Sequence, residues 1–293
     1  MKKIGLCLGG GGARGLCHIE IIKALDEMNI KPAVISGTSM GAVIGAFYAA
    51  GLSGVEIEKM VYDLGILKPT NKTKGKHRSI KEMLDEAVDE MKDFFGKLDE
   101  IGRMIDISYF NHSSLIKGAG VTQYLKKKLP IQTFEELKIP MKIVATDYWN
   151  ASEVIFDKGE LIPAIRASLS IPAVFEPVKF GGKVFIDGGI TNNLPYDIIK
   201  NQCKQVIAVD VSGERIVPNK TKLPNMFDNM MNAYEILQNS VVNHQMKIEK
   251  PEIYIKPKLK DVKILDFHKA EYILECGKEA AKELKKKLRT EIE

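Results

Sequence analysis

The run Ala42-Val43-Ile44-Gly45-Ala46-Phe47-Tyr48-Ala49-Ala50 is apolar on every face, so as a helix it has to be enclosed by other structure on all sides. Just before it, Pro32 opens a short strand pattern, Ala33-Val34-Ile35, that stops at Ser36-Gly37. A strand leading through a tight glycine turn into a buried helix belongs to a layered α/β core. The same order occurs at the start of the chain. There the run Ile4 to Leu8 breaks at Gly9-Gly10-Gly11-Gly12, and Leu16, Ile19, Ile22 and Leu25 then recur at helical spacing. Further strand-like runs follow at 142–146, 154–156, 184–186, 206–209 and 253–255. Such alternation predicts a three-layer α/β/α sandwich with a mainly parallel central sheet.

A chain of 293 residues, 45% of them hydrophobic, has material for one substantial core. A single domain over 1–293 is expected, with two additions. One is a helical insertion at about 70–120, where Leu84, Val88, Met91, Phe95, Leu98 and Ile105 mark an amphipathic stripe; the other is a C-terminal helical extension from about 260. A second stripe, Met226, Phe227, Met230, Tyr234, Leu237 and Val241, could serve with the first as a greasy entrance for acyl chains, or simply pack in the core.

The 43 basic and 38 acidic residues are spread along the chain, with lysine clusters at 126–128 and 285–287. These clusters read as solvated helix faces, with a weak, transient attraction to anionic membrane surfaces as the other reading. They lack the interleaved aromatics and density of a nucleic-acid stripe. Four cysteines at 7, 17, 203 and 276 have neither metal-ligand spacing nor a disulfide framework, so reduced thiols and no metal or cofactor are expected. The first apolar run is too short for a signal peptide, and no stretch reaches the roughly 20 apolar residues of a membrane span; a cytoplasmic protein is expected.

The segment Gly37-Thr38-Ser39-Met40-Gly41 fits a nucleophile elbow, in which a serine is presented at a strained strand-to-helix turn beside the free amides of the helix N-terminus. A serine capping the helix is the plainer alternative. The glycine loop 9–15 can aim bare backbone amides at a developing oxyanion. It also satisfies a dinucleotide fingerprint, Gly10-x-Gly12-x-x-Gly15, but the second strand lacks the acidic end that such a site uses for ribose. Arg14 in that loop offers a cation for a phosphate or for oxyanion support, or else a surface ion pair. Serine needs a base, and three aspartates follow apolar strands, Asp147, Asp187 and Asp210. Asp187 gains a slight edge because Gly188-Gly189 lets the chain turn away from the carboxylate.

In this order, Gly9-Gly10-Gly11-Gly12-Ala13-Arg14-Gly15, Gly37-Thr38-Ser39-Met40-Gly41 and Asp187-Gly188-Gly189 resemble the motifs of patatin-like phospholipases. The resemblance extends to the segments 167–175 and 192–195 and covers roughly residues 3 to 210. It implies a Ser39 and Asp187 dyad without histidine, an oxyanion hole from Gly11 and Gly12 on a loop shaped by Gly10, and Arg14 facing the charged group of the substrate. Gly9 stands where many plant members have aspartate; the bacterial branch often has this glycine. The expected activity is acyl-ester hydrolysis of a phospholipid or lysophospholipid through an acyl-serine. Two alternatives are a lipid-binding regulator of the same fold with little turnover, and a nucleotide-binding oxidoreductase. Five histidines, at 18, 77, 112, 244 and 268, leave a triad formally open, with His244 or His268 in the suitable chain order.

Overall fold

The computed structural model describes residues 3–63, 114–116, 118–214, 223–224 and 226–290. Its strands are β1 (Ile4–Leu8), β2 (Val34–Thr38), β3 (Ser114–Ile116), β4 (Met141–Asp147), β5 (Ser152–Phe156), β6 (Ala173–Phe175), β7 (Val178–Phe180), β8 (Lys183–Asp187), β9 (Gln205–Val209) and β10 (Ile253–Ile255). The α-helices are α1 (Cys17–Glu27), α2 (Met40–Ala49), α3 (Gly54–Asp63), α4 (Ala119–Lys128), α5 (Leu161–Ser168), α6 (Asp197–Lys200), α7 (Met226–Ile248) and α8 (Ala270–Thr290).

Five strands, ordered β10-β9-β1-β2-β4, run parallel, as strands joined by crossover helices must. β5 and β8 pair antiparallel with β4, and β7 pairs antiparallel with β8; β3 and β6 form a separate two-stranded ribbon. Alternate side chains enter different cores. Leu6, Leu8, Ile35, Ile207 and Val209 join the larger core with residues of α1, α2 and α8, while Cys7, Val34, Val206 and Ala208 meet Tyr196, Ile199 and Val242 on the opposite face. Helices thus cover both faces of the sheet, giving the α/β/α sandwich. The expected helical insertion, with its stripe from Leu84 to Ile105, falls almost entirely outside the described residues. At the other end α8 buries Ile273, Leu274, Gly277, Ala281, Leu284 and Leu288, a spacing of three and four that lays one face against α1. Gly277 permits that approach, because a Cβ there would stand 3.2 Å from the Cys17 Cα.

One strand acts as a ruler for the site. On one edge of β4, Val144 pairs with Thr38, the last residue of β2, and the next residue, Ala145, pairs with Asp187, the last residue of β8. On its other edge β4 pairs with β5 throughout this stretch. Where β2 turns off into α2, β8 therefore arrives in the same row. This brings the ends of two strands almost 150 residues apart in sequence side by side.

Candidate active site

Ser39 occupies the turn between β2 and α2 with φ 53° and ψ −122°, a left-handed conformation costly for any residue with a side chain. The neighbouring glycines are forced by crowding. A Cβ on Gly37 would lie 2.7 Å from the Gly41 carbonyl oxygen, and one on Gly41 would fall on the Leu8 carbonyl. The Ser39 amide donates to Ser168 Oγ at 2.8 Å and its carbonyl accepts from Ala42 and Val43, so the backbone around the hydroxyl is fully tied down. Ser39 is 3% exposed and lines an apolar cavity of about 90 Å³ with Gly12, Met40, Val43, Leu169, Phe175 and residues of α3 and α4.

The glycine loop lies against the elbow: a Cβ on Gly10 would stand 3.3 Å from the Ser39 Cβ. The Gly10 amide is spent on the Asn193 carbonyl at 3.0 Å, and the Asn193 side chain donates to the Gly10 carbonyl at 3.2 Å. Among the described residues the amides of Gly11 and Gly12 have no acceptor. Gly12, at φ 55°, opens a short 3-10 turn, and any side chain there would strike the Ile264 carbonyl.

The three aspartates at strand ends are sorted by their partners. Asp147 holds Asn150 and Lys183, which draw its pKa down to about 2. Burial opposes charge on Asp210, but Lys256, Tyr254 and Ser212 outweigh it and lower its pKa. Among the described residues no cation reaches Asp187. Its Oδ1 accepts from the Gly189 amide at 2.7 Å and the Tyr234 hydroxyl at 2.8 Å. Its Oδ2 is buried and unpartnered among the described residues; the Ser39 hydroxyl stands close enough to favour the carboxylate without closing a full hydrogen bond. Burial raises Asp187 to about 6 against these three donors.

Arg14 is 3% exposed, and its guanidinium donates to the Gly11 carbonyl, the Val262 carbonyl and Glu235. In this arrangement it braces the glycine loop against α7. Desolvation lowers its pKa, and Glu235 acts against that. His18 is buried with Nε2 2.8 Å from the Gly9 carbonyl, and burial depresses its pKa to about 4, which keeps it neutral. His244 and His268 sit on exposed helix positions, and His77 and His112 lie outside the described residues.

Sequence reasoning missed the contribution of α7. Tyr234 belongs to the stripe that offers a greasy entrance for acyl chains or plain core packing, yet Met226, Met230 and Leu237 of that stripe are exposed and Tyr234 turns inward onto Asp187. One turn further on, Gln238 donates to Asn193 Oδ1 at 3.0 Å and so reaches the glycine loop through a single side chain. Only the helical spacing of 234 and 238 could have hinted that they share a face. Ser168, which fixes the elbow amide, lies in the segment 167–175 but has no role in the sequence reading. Among the described residues no helix is long and apolar enough to cross a membrane, and no cluster of ligating side chains fits a metal ion.

Comparison with known proteins adds kinship to this geometry. Lysophospholipase NTE1 of Kluyveromyces lactis is 28% identical over 299 residues, covering 94% of this chain and 19% of that protein. Patatin-like phospholipase domain-containing protein 6 of Mus musculus is 27% identical over 302 residues, with 94% and 20% covered. An uncharacterized NTE family protein of Mycobacterium bovis is 30% identical over 231 residues, with 78% and 55% covered. The chain thus spans between about a fifth and about half of the length of these relatives. A model of the patatin-like phospholipases matches residues 6–200, a span that takes in the glycine loop, the Ser39 elbow and Asp187 and stops short of α7. Both glycine turns thus lie inside a match covering about two-thirds of the sequence, and the chain belongs to the patatin-like phospholipase family.

Proposed function

We propose that the chain hydrolyses carboxylic ester bonds of lipids, with a phospholipid or lysophospholipid as substrate, through an acyl-serine intermediate. The observation that carries the proposal is the position of Ser39, set between a buried carboxylate that no cation reaches among the described residues and an apolar cavity of about 90 Å³. In the proposed reaction the acyl chain lies in that cavity and the ester carbonyl reaches Ser39. Asp187 Oδ2 takes the hydroxyl proton as Oγ attacks, and the amides of Gly11 and Gly12 receive the developing oxyanion. The proton then passes to the leaving alcohol, and the acyl group stays on Ser39. A water molecule entering the vacated leaving-group position gives its proton to Asp187 and releases the fatty acid, after which the proton returns to Ser39. A base near 6 suits this work, because it is charged at neutral pH and still accepts a proton readily. The kinship to a lysophospholipase favours a lipid ester as substrate.

A fluorophosphonate probe tests the nucleophile, and lysophosphatidylcholine turnover tests the substrate class. Labelling of wild-type protein at Ser39, lost in Ser39→Ala, together with release of fatty acid is the expected result. Folded wild-type protein that neither labels nor releases fatty acid would refute the proposal.

A further inference from the structure

Arg166, on α5, is 5% exposed, and its Nη1 is buried with no hydrogen-bond partner among the described residues. The guanidinium lies over the Phe175 ring, 5.4 Å from its centroid. Glu176 acts on it electrostatically but closes no hydrogen bond on Nη1. Burial brings its pKa to about 10, so it remains a cation at neutral pH. A buried guanidinium with a donor left unpaired is expensive in a folded protein.

Its neighbour makes the expense larger. Gly118, at φ 68°, caps the N-terminus of α4, and the Arg166 guanidinium occupies the place a Cβ at 118 would need. The first intrahelical bond of this turn is made by the Thr122 amide to the Gly118 carbonyl, which leaves the amides of Ala119, Gly120 and Val121 without acceptors in the helix. Among the described residues no side chain caps this end, and no acidic residue stands in its first turn. A buried cation therefore faces the positive end of a ten-residue helix, where an anion would be stabilised and a cation is repelled. A single anion placed between them would pair with Nη1 and accept from the amides of this first turn, which have no acceptor among the described residues.

The corner adjoins the acyl cavity, since Phe175 under the guanidinium and Val121, Tyr124 and Leu125 of α4 all line it. We infer that Arg166 and the N-terminus of α4 form a subsite for a phosphate group, carried by the lipid substrate or taken up free from solution. Arg14 is engaged by Glu235 and two carbonyls, whereas Arg166 keeps a donor unspent. As a lipid site, the subsite deepens the ester-hydrolase proposal and rests on it; as an anion site it stands alone.

The test uses wild type, Arg166→Gln and Ala119→Asp, the last placing a carboxylate at the first helical position to occupy the corner from within. Melting temperature is followed as inorganic phosphate is titrated at constant ionic strength, and turnover is compared on lysophosphatidylcholine and on a monoacylglycerol of the same chain. Phosphate should raise the melting temperature of wild type and leave both variants unmoved. For a lipid phosphate, the preference in kcat/KM for the phospholipid should also fall by about tenfold in each variant, a magnitude expected for one charge-assisted contact. A stability response with an unchanged preference assigns the subsite to free phosphate. If Arg166→Gln fails to fold, Ala119→Asp gives the same comparison. Equal phosphate response and equal preference in wild type and folded Ala119→Asp would overturn the inference, even with monoacylglycerol hydrolysis intact. Stabilisation by phosphate in a protein without any ester hydrolysis would instead remove the hydrolase proposal and keep the subsite.

Discussion

The glycine turns and helix α7 converge on the same few atoms but carry their constraints differently. At Gly12 and Gly41 neighbouring backbone occupies the space a side chain would need, so the sequence has no freedom there and a motif results. Tyr234 and Gln238 on α7 reach Asp187 and Asn193 with side chains that would look ordinary in any helix. Backbone crowding leaves a visible signature in sequence, whereas side-chain reach from a distant helix leaves almost none. The region that family comparison picks out, residues 6–200, ends before α7 begins, although α7 supplies a donor to the proposed base.

The largest effects are expected at Ser39 and Asp187, where the glycine turns and α7 meet. Ser39→Ala should fold and lose about four orders of magnitude or more in ester turnover; retention of activity within a few-fold of wild type would remove Ser39 from the proposed chemistry. Asp187→Asn should lose turnover on a similar scale while gaining stability. The folded pKa near 6 lies above the unfolded value near 3.8, so the protein is stabilised by protonation and loses that stability as pH rises from about 4 to about 6. A neutral residue avoids the loss, and urea denaturation at pH 8 should show a gain on the order of 1–3 kcal/mol. No gain would mean that the carboxylate is better solvated than its burial indicates.

Gly12→Ala tests the backbone constraint of the glycine turns. It forces a side chain onto the Ile264 carbonyl at a positive φ, and the displaced amide should cost about a hundredfold in kcat with a smaller change in KM. A change in KM alone would make the loop a substrate clamp.

Tyr234→Phe tests the helix side and should do less. Removing one of the donors to Oδ1 raises the Asp187 pKa further, so the acid limb of the pH–activity profile should move above 6, with a loss of roughly tenfold at pH 6 and little at pH 8. An unmoved acid limb would leave Tyr234 as packing only. The smallest effect is expected from Gln238→Ala, which leaves Asn193 Oδ1 without its donor and loosens the loop indirectly, a few-fold in kcat with the pH profile unchanged. A shift of the acid limb in this variant would show that Gln238 acts on Asp187 and not through Asn193.

The sequence determined what backbone geometry and burial dictate. Seven of the ten described strands, the enclosed helix α2 and the two glycine turns were legible because apolar periodicity and forbidden side chains are local properties, written residue by residue, whereas the short strands β3, β6 and β7 were not. The sequence reading favoured Asp187 through Gly188-Gly189 and the family resemblance, but the different surroundings of Asp147, Asp187 and Asp210 were not legible; they depend on Lys183 and Lys256 reaching the first and last, and on β8 entering the row that β2 leaves along β4. The same holds for the brace between Arg14 and Glu235, and for Arg166 left with an unspent donor beside α4. These are partnerships across long stretches of chain. Only the tertiary structure decided them, because the energy of a buried charge is set by whichever groups the fold brings within a few ångströms of it.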